Sequence, residues 1–328
     1  MERIIDDFVR QRLLVTGDVV LDEYVWGEVD RVSPEAPVPV VRVCDEGLVP
    51  GGAANAVRNV VALGGAADCC AVVGDDPSGR HIAEMLKDIG VDPQGLVVVR
   101  DRPTTRKTRV IANRQQIARF DRESFTPPPR EARRRLLTAI ERRLGDCDGV
   151  VVADYGKGVF TRSMASALMR RCKEAGVPVA VDPKQQLAGF EGAALLKPNL
   201  RETESLAGLR IDGHDDLIRA GGRLRRRSRA EAVVVTRGGD GMTLFSGNAD
   251  PLDVPAVARE VFDVQGAGDT AIAALALAQR AGATLHEAAV IANAAASVVV
   301  GKVGTATASA AEVKAALPAA LDASRSGS

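Results

Sequence analysis

Short, continuously apolar runs punctuate the chain, separated by longer stretches whose apolar residues recur every three or four positions. The runs Leu13–Thr16, Ala71–Val73, Gly149–Ala153, Pro178–Asp182, Ala194–Lys197 and Ala232–Thr236 end in turns that hold Gly or Asp. A run without a polar face suits a strand buried on both sides, the habit of a parallel sheet. The stretches Ala53–Leu63, Gly79–Ile89, Arg130–Leu144, Arg162–Ala175, Arg201–Leu206 and Asp215–Arg227 fit helices laid against that sheet. This alternation predicts a doubly wound, mainly parallel α/β core. The most apolar region, Thr270–Gly301, is interrupted by Gln279, Arg280, His286, Glu287 and Asn293. No unbroken stretch therefore reaches the roughly 18 residues of a membrane span, and a buried helix pair is predicted there.

Two segments, about 24–44 and 96–121, alternate polar and apolar residues with no helix between, as in Pro39-Val40-Val41-Arg42-Val43 and Thr104-Thr105-Arg106-Lys107-Thr108. One-sided strands of this kind predict a small antiparallel β lid projecting from the core, or else a plain extension of the sheet edge. No repeat or long linker divides the chain, so 1–328 is expected to be a single domain with a frayed tail after Pro318.

Composition narrows the function. The 328 residues carry 43 Lys+Arg against 43 Asp+Glu, which argues against a nucleic-acid or acidic-membrane binder. The arginine clusters Arg133–Arg135 and Arg223–Arg229 fall on helical stretches and read as solvated faces. The acidic N-terminus lacks the basic and apolar regions of an export signal, and five cysteines without a CxxC spacing fit a reducing cytoplasm better than a disulfide framework or zinc site.

The densest chemistry lies in Val261-Phe262-Asp263-Val264-Gln265-Gly266-Ala267-Gly268-Asp269-Thr270, which opens an Ala-rich helix. Glycines at a helix start permit a tight turn and leave N–H groups facing outward, where the helix dipole favours an anion such as phosphate. Asp269 in the first turn could then accept the proton of an attacking hydroxyl, or could merely complement the dipole. Neither GxxxxGK[ST] nor GxGxxG is present, so phosphate chemistry needs another architecture.

Gly51-Gly52-Ala53-Ala54-Asn55, Lys197-Pro198-Asn199-Leu200-Arg201-Glu202, Thr236-Arg237-Gly238-Gly239-Asp240-Gly241 and the Asp263–Asp269 loop resemble, in order and spacing, the ribokinase-like (phosphofructokinase-B) sugar kinases. The likeness spans nearly the whole chain. The segments Arg31-Val32-Ser33-Pro34-Glu35-Ala36-Pro37-Val38-Pro39, Thr105–Arg109, Ala153-Asp154-Tyr155-Gly156-Lys157-Gly158, Val181-Asp182-Pro183-Lys184 and Gly301–Ala306 are similar to those of its heptose 7-phosphate kinase branch.

The resemblance implies transfer from ATP to a sugar's anomeric hydroxyl, with Asp269 as base and the amides of Gly266, Ala267 and Gly268 around the transferring phosphoryl group. It implies Asn199 and Glu202 near magnesium and its waters, although an N-cap and a first-turn acid explain the same pair. Thr236, Gly238, Gly241 and Asn293 match the nucleotide side. Asp22, Gly51, Gly52 and Asn55 match the sugar side, and Asp18 stands near them at a strand end. For the sugar's own phosphate the candidate cations are Arg106, Lys107, Lys157 and Lys184, which as solvated surface charges would have no such role. Asp263 matches a monovalent-cation position that could take potassium, but Gln265 stands where many members carry Thr.

A bifunctional relative would add an adenylyltransferase domain with a His-x-Gly-His motif; the only histidines are His81, His214 and His286, so a kinase alone is expected. Val38, Val40, Val41 and Val43 predict a homodimer through the lid strands. The rival readings are another sugar-phosphate kinase of this fold, such as a fructose-1-phosphate kinase, and a silent sugar-binding protein.

Overall fold

The computed structural model describes residues 1–113, 115–257, 263–302 and 304–326. Val261, Phe262 and Val303 of the quoted motifs lie outside them.

Along the chain the strands are β1 (Arg12–Gly17), β2 (Val19–Val32), β3 (Pro39–Gly52), β4 (Ala66–Gly74), β5 (Leu96–Val99), β6 (Thr105–Ala112), β7 (Gln115–Arg122), β8 (Gly149–Ala153), β9 (Val179–Asp182), β10 (Leu195–Leu196), β11 (Ala232–Thr236), β12 (Met242–Ser246) and β13 (Leu252–Val254). The helices are α1 (Glu2–Asp6), α2 (Ala53–Ala62), α3 (Pro77–Asp88), α4 (Arg130–Glu141), α5 (Arg162–Ala175), α6 (Leu200–Ala207), α7 (His214–Ser228), α8 (Ala267–Arg280), α9 (Leu285–Val300) and α10 (Ala310–Ser326).

Nine strands build the main sheet in the order β13-β12-β11-β10-β9-β8-β1-β4-β5. It is parallel from β5 to β11, and β12 and β13 add an antiparallel edge. Successive strand residues face opposite sides. Leu13 and Val15 therefore enter a core with Val57 of α2, Leu275 of α8 and Val290 of α9, whereas Leu14 enters a second core with Leu136 of α4, Leu168 of α5 and Leu224 of α7. Burial on both faces is why these strands read as unbroken apolar runs.

Helix boundaries follow local chemistry. Thr161 caps α5 by accepting from Met164 N–H, and α5 stops at Gly176 in the left-handed region. The helices α6 and α9 each begin with a reciprocal capping box, Asn199 with Glu202 and Thr284 with Glu287. No helix among the described residues is long and apolar enough to cross a membrane, and Thr270–Gly301 folds as the buried pair α8–α9.

A second sheet, in the order β3-β2-β6-β7, stands off the core as the predicted lid. Its two antiparallel hairpins, β2–β3 and β6–β7, join along a parallel seam between β2 and β6. The sheet is larger than the 24–44 segment implied, because β2 and β3 run back into the core at Val19 and Gly52. Leu96–Val99, assigned from sequence to the lid, is instead β5, paired parallel to β4. The tail expected to fray after Pro318 is part of α10, whose Val313, Leu317 and Ala320 are buried in the first core.

Candidate active site

Ligands of open parallel sheets collect beyond the carboxyl ends of the strands. Here those ends deliver Asp18 after β1, Asp154 and Tyr155 after β8, Asp182 closing β9, Lys197 after β10 and Thr236 closing β11. Against this edge comes the amino end of α8, whose N-cap Gly266 has φ +79°. A side chain at Gly266 would meet Asn55 and Thr305 at 2.9–3.0 Å, so glycine is required for the turn and for the close approach. Ala267 N–H reaches the Val264 carbonyl at 3.4 Å; the other first-turn N–H groups have no helical carbonyl one turn earlier to receive them, and the helix dipole adds partial positive charge. Gly266, Ala267 and Gly268 thus form an amide cradle suited to an anion.

Asp269 sits beside that cradle and is almost wholly buried. Asn55 Nδ2 donates to its Oδ2 at 2.7 Å and the Tyr155 hydroxyl donates to its Oδ1. Burial pushes the carboxyl up to about 6, against the lowering effect of those two donors; Asp182 raises it further and Lys197 opposes the rise. A carboxyl so placed is ionised near neutral pH yet holds a proton more readily than a surface aspartate, as a general base requires.

Adjoining the cradle is a cavity of about 500 Å3. Asn199, Glu202, Thr236, Gly238, Gly241 and Asn293, all expected on the nucleotide side, line it together with Ala267 and Gly268. Gly241 (φ +89°) could not carry a side chain, since a Cβ would lie 2.1 Å from Val254 O. Met242, Val257, Ala296 and Val300 supply an apolar wall. Asn293 Nδ2 donates to the carbonyls of Val254 and Pro255 at 3.1 and 3.0 Å, so it braces the cavity rim.

Asn199 and Glu202 form the capping box, with Glu202 Oε2 accepting from Asn199 N–H at 2.9 Å. Glu202 Oε1 accepts from Lys184 Nζ at 2.8 Å. Lys184, predicted to meet the sugar's phosphate, lines this cavity beside Glu202. Among the described residues no group of three or more His, Cys, Asp or Glu is arranged to hold a metal. The Asn199 and Glu202 side chains that line the cavity offer the oxygen donors magnesium prefers when phosphate and water fill most of its shell. Asp263 Oδ1 accepts from Gln265 N–H at 2.9 Å.

Gly51 and Gly52, expected on the sugar side, abut Asp22 and Asp18: a Cβ at Gly51 would lie 2.2 Å from Asp22 Oδ2, and one at Gly52 2.3 Å from Asp18 O. Asp22 is on β2, within the lid's root, and receives Arg109 Nη1 at 2.5 Å. Asn55 was expected to touch sugar, but its side chain is fully buried and bonded to Asp269 and Asn59. These candidate cations already have partners. Arg106, on the lid, grips Glu23 with two nitrogens, Lys107, also on the lid, pairs with Asp121 at 3.0 Å, and Lys157, in the turn after β8, pairs with Glu123 at 2.6 Å beneath the Phe125 ring. A substrate phosphate would share or replace these carboxylates.

Tyr155, Asp154, Lys197 and Asp182 stand in the quoted motifs but were given no role there. Lys197 is 3% exposed, pairs with Asp182 at 2.9 Å, and has its ammonium 3.7 Å from where a Gly268 Cβ would sit. Burial disfavours its charge, but the Asp182 carboxylate outweighs this and holds it above the ordinary lysine range. Burial, with the charges of Asp18 and Asp182, pushes Asp154 up to about 7. Tyr24, also unforeseen, donates to Gln265 Oε1 at 2.6 Å and so ties β2 to the cradle loop. The available signal was positional: each of the first four lies at or just past the end of a predicted parallel strand.

Residues 11–312 match the model of the pfkB family of carbohydrate kinases. The chain is 44% identical over 314 residues to the bifunctional protein HldE of Pelobacter propionicus, covering 95% of this chain and 64% of that protein. Identity to the bifunctional protein HldE of Desulfatibacillum aliphaticivorans is 45%, over 93% of this chain and 63% of the relative. The chain thus spans less than two thirds of the length of these relatives. Among solved structures, Escherichia coli phosphofructokinase-2 in complex with potassium superposes with a TM-score of 0.78 at 21% identity, covering 95% of this chain and 99% of that one. Arabidopsis thaliana ribokinase complexed with ribose and ATP gives 0.75 at 22% identity, over 94% and 98%. These likenesses identify a ribokinase-like fold. With the family match covering most of its length and an acid beside an anion cradle, the chain belongs to the pfkB family of carbohydrate kinases, enzymes that transfer a phosphoryl group to a sugar.

Proposed function

We propose that the protein phosphorylates the anomeric C1 hydroxyl of D-glycero-D-manno-heptose 7-phosphate with ATP, giving the 1,7-bisphosphate for ADP-heptose and lipopolysaccharide core synthesis in the cytoplasm. The observation that carries the chemistry is the buried Asp269 carboxylate beside the amides of Gly266, Ala267 and Gly268. The choice of sugar is supported by the heptose-kinase-like segments and by similarity to the bifunctional HldE proteins.

In this reading the purine lies against the apolar wall of the cavity and the triphosphate runs towards Gly268 and Lys197. Asp269 takes the proton as the sugar oxygen attacks the γ-phosphorus. The new bond is O1–P, the broken bond joins that phosphorus to the β–γ bridging oxygen, and ADP leaves with the electron pair. The cradle amides and the Lys197 ammonium meet the charge on the transferring group, which suits a reaction governed by positioning and electrostatics. Magnesium, when bound near Asn199 and Glu202, would neutralise triphosphate charge. Asp22, at the lid's root, would accept from sugar hydroxyls, and Arg106 and Lys107 on the lid, with Lys157 in the turn after β8, would meet the 7-phosphate.

The test is ADP release with heptose 7-phosphate, fructose 1-phosphate and ribose, followed by 31P and 1H NMR of the product. A new phosphate coupled to the anomeric proton, with heptose 7-phosphate preferred, supports the proposal. Preference for fructose 1-phosphate would support the rival kinase reading, and no turnover with any sugar would leave a binding protein.

A further inference from the structure

Both oxygens of the Asp269 carboxylate are engaged by donors from separate elements, Asn55 on α2 and Tyr155 in the turn after β8. Tyr155 lines the cavity yet directs its hydroxyl at the acid. Its own position is fixed from below. Asp18, 2% exposed, accepts from the N–H groups of Tyr155 at 2.9 Å and Lys157 at 3.0 Å, while Asp154 accepts from Gly156 N–H at 2.9 Å. Burying a carboxylate to hold two backbone amides is costly, and the turn it holds delivers one side chain to Asp269.

The geometry points to Tyr155 as a positioning residue, whose hydroxyl orients the Asp269 carboxylate and favours its ionised form, with Asp18 setting the tyrosine's place through its backbone. This rests on the reading of Asp269 as the base. A donor to a carboxylate stabilises the charged form, so it offsets part of the burial that drives Asp269 towards protonation. Each carboxylate oxygen has a second lone pair, so both donors can stay while a substrate proton arrives. The bond also fixes rotation about the acid's last torsion, which a base must otherwise lose on reaching the transition state. The charged groups facing this pair are Asp182 closing β9, Lys197 after β10 and Asp22 on β2. They remain in place in Tyr155→Phe, so that variant isolates the hydroxyl.

The experiment is the pH dependence of kcat for wild type and Tyr155→Phe, with KM for ATP and the thermal midpoint measured alongside. Loss of a charge-assisted hydrogen bond is expected to move the acid limb of the profile up by about one pH unit, with about tenfold lower kcat below the limb and recovery above it. KM for ATP is expected to stay within about twofold. An unmoved limb in a folded variant overturns the proposal. Asp269→Asn is the control for the underlying reading: its inactivity at every pH preserves the base even if Tyr155 fails, and its activity removes the base itself. Should Tyr155→Phe not fold, 3-fluorotyrosine incorporated in a Tyr24→Phe background modifies Tyr155 alone, because the chain has two tyrosines. The more acidic phenol is a stronger donor, so the limb is expected to shift down relative to unlabelled Tyr24→Phe; no shift overturns the proposal.

Discussion

Asp269 is pulled two ways, by burial that favours its proton and by Tyr155 and Asn55 that favour its charge, with a balance at about 6. As the proposed base, Asp269 must be ionised to work, so kcat is expected to rise with pH through about 6 and to level above it, as read from initial rates at saturating substrates. Asn55→Ala removes one of the two donors, so the same limb is expected to move to higher pH and kcat at pH 6 to fall at least several-fold. The acid and its glycines were legible in the sequence because Gly266-Ala267-Gly268-Asp269 is contiguous and stands at a helix start. Asn55 was legible as a site residue but not in its orientation, which depends on α2 meeting α8 across 214 positions of chain. The partners of Arg106, Lys107, Lys157 and Lys184 were hidden for the same reason: charge is written in the sequence, whereas the carboxylate that meets it is chosen by tertiary packing.

At the scale of elements, the turn from β3 into α2 fixes where Asn55 points. Gly52 holds φ +58°, and a Cβ there would lie 2.3 Å from Asp18 O. Gly52→Ala is expected to destabilise the fold by about 1–3 kcal/mol, measured by urea denaturation, and to lower kcat as α2 shifts. At the nucleotide cavity, Asn199→Ala removes the cap of α6 and one side of its capping box. It is expected to cost about 1 kcal/mol in the same experiment and to raise KM for ATP more than it lowers kcat. The parallel strands were legible because burial on both faces leaves a continuous apolar signature. The edge strands β12 and β13 were not, since β13 has only three residues, the two are joined through Gly247-Asn248-Ala249-Asp250-Pro251, and polar Thr243 and Asp253 are paired to each other at 2.6 Å. Strand β5 was assigned to the lid because no helix separates it from β6, although Leu96-Val97-Val98-Val99 carries the continuous pattern of the main sheet.

At the scale of the whole molecule, the lid leaves apolar side chains in water: Val32, Val38, Val43 and Phe120 are all at least half exposed. Such a face is consistent with the proposed homodimer through the lid strands. Sedimentation at micromolar concentration is expected to give a dimer, and Phe120→Asp a monomer with an unchanged thermal midpoint; a monodisperse wild-type monomer contradicts the pairing. The lid is also tied to the chemistry, since Tyr24 on β2 bonds to Gln265 beside the cradle. In the proposed mechanism these parts converge on one event, the passage of a phosphoryl group from nucleotide to sugar past Asp269. The most direct test is a rapid-quench single turnover with γ-labelled ATP and heptose 7-phosphate, comparing wild type with Asp269→Asn, with ATP affinity measured by calorimetry. Label is expected to reach the sugar in the wild type and to do so at least about 10²-fold more slowly in the variant, at comparable ATP affinity. Transfer at an undiminished rate by Asp269→Asn would contradict the assignment of the base and the mechanism built on it.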